Sequence, residues 1–169
     1  MDLPYVKNGI LFLEEEKIPI VDCTYQQLVA ILNEPEEAIL IDNTNWATFC
    51  FPNDYGTLKA HFILHDHNLE PGKNGEQLLE FTKATLAEIY FELYSPVALP
   101  ALSEKHGQPR FLQSNGITFA AFNENFLAKM KNGKEVDCLW FLNFEAMKKS
   151  TLPDFYKELQ LLFVSQLIH

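Results

Sequence analysis

Short β-prone runs separated by turn residues dominate the pattern of apolar and polar positions along the chain. Arg110 to Gln113 and Ile117 to Phe122 flank Ser114-Asn115-Gly116. That arrangement predicts a β-hairpin, because Asn-Gly tolerates the positive φ values that tight turns need. Ala47 to Phe51 and Thr57 to Leu64 form the same pattern around Pro52-Asn53-Asp54-Tyr55-Gly56, and Tyr5-Val6 joins Ile10 through Leu13 across Asn8-Gly9. Further strands are expected at Ile18 to Asp22, Ala38 to Asp42 and Val136 to Phe144, the last a buried run centred on Cys-Leu-Trp-Phe-Leu. Antiparallel pairing should therefore predominate.

A helical period shows in other segments. Leu78, Phe81, Leu86, Ile89 and Leu93 fall on one stripe behind Asn74 and Gln77, which resemble a capping box. A long helix is predicted from about Gly75 to Tyr94, stopped by Pro96. A second, from about Leu152 to Ile168, has its proline early and sets Phe155, Leu159, Leu162 and Phe163 on one face. Shorter helices are expected at Thr24 to Asn33, where Thr24 and Gln27 make a cap pattern, at Leu99 to His106 with Gly107 as the stop, and at Asn123 to Asn132. The expected fold is α+β, a predominantly antiparallel sheet covered by the two longer helices together with the shorter ones. No repeat or Gly/Ser linker interrupts it, so residues 1–169 read as one globular domain.

Composition changes the picture mainly through charge. Of the net −10, all resides in residues 1–80, which hold 14 acids against four lysines, whereas residues 81–169 hold nine acids and nine bases. Such a field repels nucleic-acid backbones and anionic lipid surfaces and attracts a protein with a basic surface. No apolar run is long enough for a signal peptide or a membrane span, since Glu88 and Glu92 interrupt Leu86 to Leu93. Three widely spaced cysteines in apolar surroundings, Cys23, Cys50 and Cys138, match reduced core thiols and a cytoplasmic location. Oligomeric state is not legible.

Two sets of residues carry candidate chemistry. His61, His65 and His67 share one side of a strand-like segment, and imidazoles are ligands for zinc, copper or iron. An extended strand nevertheless holds His61 and His65 about 13 Å apart, so a metal site there requires a bend. No Walker A loop, G-x-G-x-x-G, G-x-S-x-G, H-E-x-x-H or C-x-x-C is present, and Arg110 is the sole arginine, so no cofactor is expected. The second set is acidic. Glu14, Glu15 and Glu16 lie between two expected strands, Glu34, Glu36 and Glu37 at a helix-to-strand turn, and Asp54 in a hairpin loop, with Trp46 and Tyr55 as candidate aromatic anchors. The expectation is a binding protein that occludes a basic active site, as the immunity protein of a bacterial toxin system does. The alternatives are a metal-dependent hydrolase built on the histidine strand, and an oligomeric adaptor or secretion chaperone.

Overall fold

A computed structural model describes residues 2–40, 46–63, 84–143, 145 and 146. Three short strands, β1 (Tyr5–Lys7), β2 (Ile10–Leu13) and β3 (Glu16–Pro19), form a small antiparallel sheet. A single turn of 3-10 helix at Ile20–Asp22 leads into α1 (Tyr25–Leu32). The expected capping box sets where α1 begins: Gln27 N donates to Thr24 Oγ1 at 3.2 Å, and Thr24 N donates to Gln27 Oε1 at 2.9 Å. Asn33 ends it with φ 69°, its amide donating to Val29 O. Leu28 and Leu32 are the face it buries.

The remaining strands make one eight-stranded antiparallel sheet: β4 (Glu37–Leu40), β5 (Trp46–Pro52), β6 (Gly56–Ile63), β7 (Thr85–Ala98), β8 (Arg110–Ser114), β9 (Ile117–Asn123), β10 (Phe126–Met130) and β11 (Glu135–Leu142). Their order is β4-β5-β6-β7-β11-β10-β9-β8. Two four-stranded meanders thus meet where the first one's last strand pairs with the second one's last strand, β7 with β11. Helix α2 (Leu99–His106) makes the connection between the meanders, with Gly107 at φ 89° as its stop.

One face of the large sheet carries the main core. Phe49, Phe51, Leu58, Phe62, Ile89, Phe91, Phe126, Leu139 and Phe141 pack with Val6, Leu11, Leu13 and Ile18 of the small sheet, Leu28 and Leu32 of α1 and Leu102 of α2. The other face is buried at its centre as well, around Ile63, Ala87, Leu127, Trp140 and Leu142. Central strands buried on both sides read as continuous apolar runs rather than alternating ones. Among the described residues, no helix is long and apolar enough to cross a membrane.

The α+β class and the antiparallel sheet agree with expectation, and the hairpins at Asn8-Gly9, residues 52–56 and Asn115-Gly116 form where the turn signals stand. The long-helix detail is corrected. Residues 85–94 of the helix expected from Gly75 to Tyr94 lie in β7, and residues 75–83 are outside the described residues. A β-bulge explains the false helical period. His61 faces Glu88 while Phe62 faces Leu86, so Ala87 is an extra residue, and Leu86, Ile89 and Phe91 come to share the core face. The inserted residue turns a spacing of two into a spacing of three. Asn143 meets the bulge, its amide donating to Ala87 O and its side chain to Leu86 O. The helix expected at Asn123 to Asn132 is instead β10, whose Phe126, Leu127, Ala128 and Met130 are buried on both faces. The strand expected at Ile18 to Asp22 begins and ends earlier, and the helix expected from Leu152 to Ile168 lies outside the described residues.

Gly56 starts β6 opposite Leu93 of β7. A Cβ there would collide with the carbonyl oxygen of Glu92, which is backbone and cannot step aside. Gly56→Ala should therefore destabilise the fold by about 1–3 kcal/mol in urea unfolding, the usual range for overpacking. An unchanged midpoint would show that the strand pair has slack.

Candidate functional site

Strand register decides where the acids go. β4 starts at Glu37 opposite Cys50, close to the end of β5, and Glu36 N donates to Cys50 O, so both carboxylates stand at the end of the sheet that bears the β5–β6 turn. Asn53 in that turn donates through Nδ2 to Glu14 Oε1 at 2.7 Å, which ties the β2–β3 turn to the same end. Glu34, beyond α1, accepts from Tyr25 OH at 3.4 Å, and the Tyr25 ring rests on Phe49. Burial first, then the Glu34 charge, raises the Tyr25 phenol. Glu92 of β7 also lies here, pairing with Lys59 at 3.0 Å. The clustering has an electrostatic signature: burial raises the Cys50 thiol most, with Glu37, Glu92 and Glu36 adding to it against Lys59.

Glu14, Glu15, Glu16, Glu34, Glu36, Glu37 and Asp54 are all exposed. Tyr55 is 39% exposed and Tyr94 62%, and they are neighbours, since Tyr94 N donates to Tyr55 O at 3.0 Å. Tyr94 and Glu92 were not expected at this site because residues 75–94 read as helix. Trp46 is not part of it. It begins β5 opposite Ile63, about 20 Å along the strand from Pro52, and packs on the second buried layer.

Glu14 and Glu15 have a further peculiarity. They form the two-residue loop between Leu13 and Glu16 with φ values of 49° and 71°. Both positions are left-handed, which Asn-Gly accommodates and glutamate resists. The equivalent β1–β2 turn does use Asn8-Gly9, at 53° and 73°.

The histidine segment builds a different environment. His61 shares a hydrogen bond with Thr48, Nδ1 to Oγ1 at 2.8 Å, and sets its ring edge on Tyr90 at 5.4 Å. Tyr90 stacks on Trp140 at 5.0 Å, and Trp140 Nε1 donates to Glu88 Oε2 at 3.0 Å. Glu88 is only 7% exposed. His61 Nε2 is buried without a hydrogen-bond partner. Burial pushes the imidazole down to about 4, with Lys59 adding to the shift, and burial with Glu88 raises the Tyr90 phenol. Thr48, His61 and Glu88 do not form a nucleophile relay, since such a relay needs the second imidazole nitrogen held by an orienting group. His65 and His67 lie outside the described residues, and among the described residues no three His, Cys, Asp or Glu side chains are placed to hold a metal ion. The thiols are buried, Cys23 and Cys138 pushed up to about 12, so nucleophilic thiolates are disfavoured.

The architecture is that of an α+β protein with a wide antiparallel sheet. No family model matches the chain, and no curated protein matches it. Among solved structures, a DUF4309 family protein from Bacillus subtilis, YjgB, is similar with a TM-score of 0.48 at 14% identity, over 79% of this chain and 87% of that one.

A neutral, partly buried His61 makes stability depend on pH in a defined direction. The unfolded chain takes up a proton near pH 6.5, while the folded ring resists it down to about 4. Its contribution is therefore intact above 6.5 and lost as pH falls toward 4. Between pH 7 and pH 5 the loss should be on the order of 1–2 kcal/mol. Urea midpoints for His61→Gln should fall less steeply over that interval. Equal slopes in the two proteins would assign the pH dependence elsewhere.

Proposed function

We propose that this protein is an inhibitor of another protein, docking its acidic, tyrosine-bearing end onto a basic surface of the partner. Glu14-Glu15 carries the reading. Two carboxylates occupy left-handed turn positions at a conformational cost, beside a neighbouring hairpin that solves the same turn with Asn-Gly. Residues retained against local preference mark places where function competes with stability. Around them stand carboxylates from the α1–β4 link, the β5–β6 turn and β7, with Tyr55 and Tyr94 exposed between.

Carboxylates on an exposed rim accelerate encounter with a cationic patch, and tyrosines bring large contact area at little side-chain entropy. The two tyrosines replace Trp46 as anchors. Occlusion of a basic catalytic cleft in the cytoplasm, the mode of an immunity protein toward a toxin, is the form of inhibition such an end suits. The partner binds as a protein, with neither nucleic acid nor membrane required.

The double substitution Glu14→Asn with Glu15→Gly separates the two roles of the turn. It relieves the turn strain but removes the Asn53–Glu14 hydrogen bond, so the melting temperature should shift by less than a change of about 1 kcal/mol would produce. Association with the partner should slow about tenfold in stopped flow and lose part of its salt dependence. An unchanged association rate would defeat the proposal, whatever happens to the melting temperature.

A further inference from the structure

The half of the sheet formed by β8 to β11 holds a groove that the acidic end does not use. It lies between the β8–β9 turn, with Asn115 and Gly116 at φ 52° and 78°, and the β10–β11 turn, and has a volume of about 520 Å³. Such a volume is ample for a small molecule. Phe111 and Ile117, 56% and 37% exposed, supply apolar wall, and Met130 adds to it. Lys129, Lys131 and Asp137 supply charge.

Asp137 is placed there by a second bulge. Val136 pairs with Met130 and Cys138 with Lys129, so Asp137 is the extra residue against β10, while on the other side Val136 pairs with Val97 and Cys138 with Glu92 and the larger insertion is β7's own, at residues 93–96. Bulges re-aim side chains, and they recur beside functional sites. Its Oδ1 is buried and has no hydrogen-bond partner. A buried acceptor left without a donor is destabilising and calls for an explanation. Neither lysine pairs with it, and among the described residues the only ion pair is Lys59 with Glu92. The β10–β11 turn is satisfied internally: Asn132 Oδ1 accepts from Lys134 N and Glu135 N, and Lys131 N donates to Glu135 O.

These groups define a ligand by elimination. An anion would answer the lysines and leave Asp137 without a donor. A cation would answer Asp137 and face two ammonium groups. An apolar molecule would leave all three charges unmatched. We propose that the groove binds a free apolar α-amino acid, its ammonium donating to the accessible oxygen of the Asp137 carboxylate, its carboxylate held by Lys129 and Lys131, and its side chain lying on Phe111 and Ile117. A peptide terminus carries only one of the two charges on its end residue and matches half of the site.

The test is a titration of the full chain, followed by amide NMR shifts and calorimetry, with L-phenylalanine, N-acetyl-L-phenylalanine, L-phenylalaninamide and glycine. L-Phenylalanine should bind with Kd of about 1 mM or tighter and move the amides of Ile117, Lys129 and Asp137, and each of the other three should bind at least about tenfold more weakly. Asp137→Asn should weaken L-phenylalanine by about tenfold or more and leave the acetylated analogue unchanged, with circular dichroism confirming the fold. Absence of a saturable shift up to about 20 mM L-phenylalanine would overturn the proposal, as would equal binding of the acetylated or amidated analogue. The analogue series on the unsubstituted chain decides the matter even if the variant does not fold.

Discussion

The pairing of β7 with β11 is the interaction on which the rest of the molecule depends. Without that ladder, strands β4 to β7 and strands β8 to β11 are two separate meanders, each with an exposed edge and a half-covered face. With it they become one sheet whose central strands are apolar on both sides, and the main core extends from Ala47 on one wing to Ala120 on the other. Hydrogen bonding in the ladder is individually modest, but an unpaired buried strand edge is costly, so the two halves gain by meeting. The same pairing stacks Tyr90 on Trp140 and brings Trp140 Nε1 to Glu88, which gives a nearly buried carboxylate a donor.

Both bulges adjoin this seam. At Ala87 the extra residue restores Leu86 to the core face, and Asn143 takes up the two carbonyls that the ladder loses. At Asp137 the extra residue has no such helper, and a carboxylate oxygen stays buried without a partner. One irregularity is thus repaired by the chain itself and the other is left open toward a groove. The two wings also differ in charge at the same end of the sheet: carboxylates gather around β4, β5 and the small sheet, while the β10–β11 hairpin mixes Lys129, Lys131 and Lys134 with Glu135 and Asp137.

Legibility in the sequence followed the locality of the signal. Asn8-Gly9 and Asn115-Gly116 could be read as turns, because a positive φ is a demand made on single residues. The α1 cap could be read for the same reason, as Thr24 and Gln27 bond within one turn of chain. β7 could not, since its period is altered by an insertion defined only against its partners, and β10 could not, since burial on both faces erases alternation. The acidic residues could be named individually, but their neighbours Tyr94 and Glu92 were concealed by the helix reading, and Trp46, a candidate anchor, stands at the far end of β5 from them. The Glu14-Glu15 loop carries no Asn or Gly, so its left-handed conformation leaves no local signal in the sequence.

The amino-acid sequence by itself determined the α+β class, the short antiparallel hairpins, the capped helix α1, the Gly107 stop of α2 and the concentration of negative charge in the first eighty residues. These follow from propensities and turn chemistry acting over a few positions. Only the tertiary structure decided that β7 joins β11, that residues 85–94 are strand, that His61 packs on Tyr90 beside a second buried layer, and that Asp137 lines a groove. Each of those depends on which distant segment lies alongside, and backbone pairing, burial and register exist only between segments.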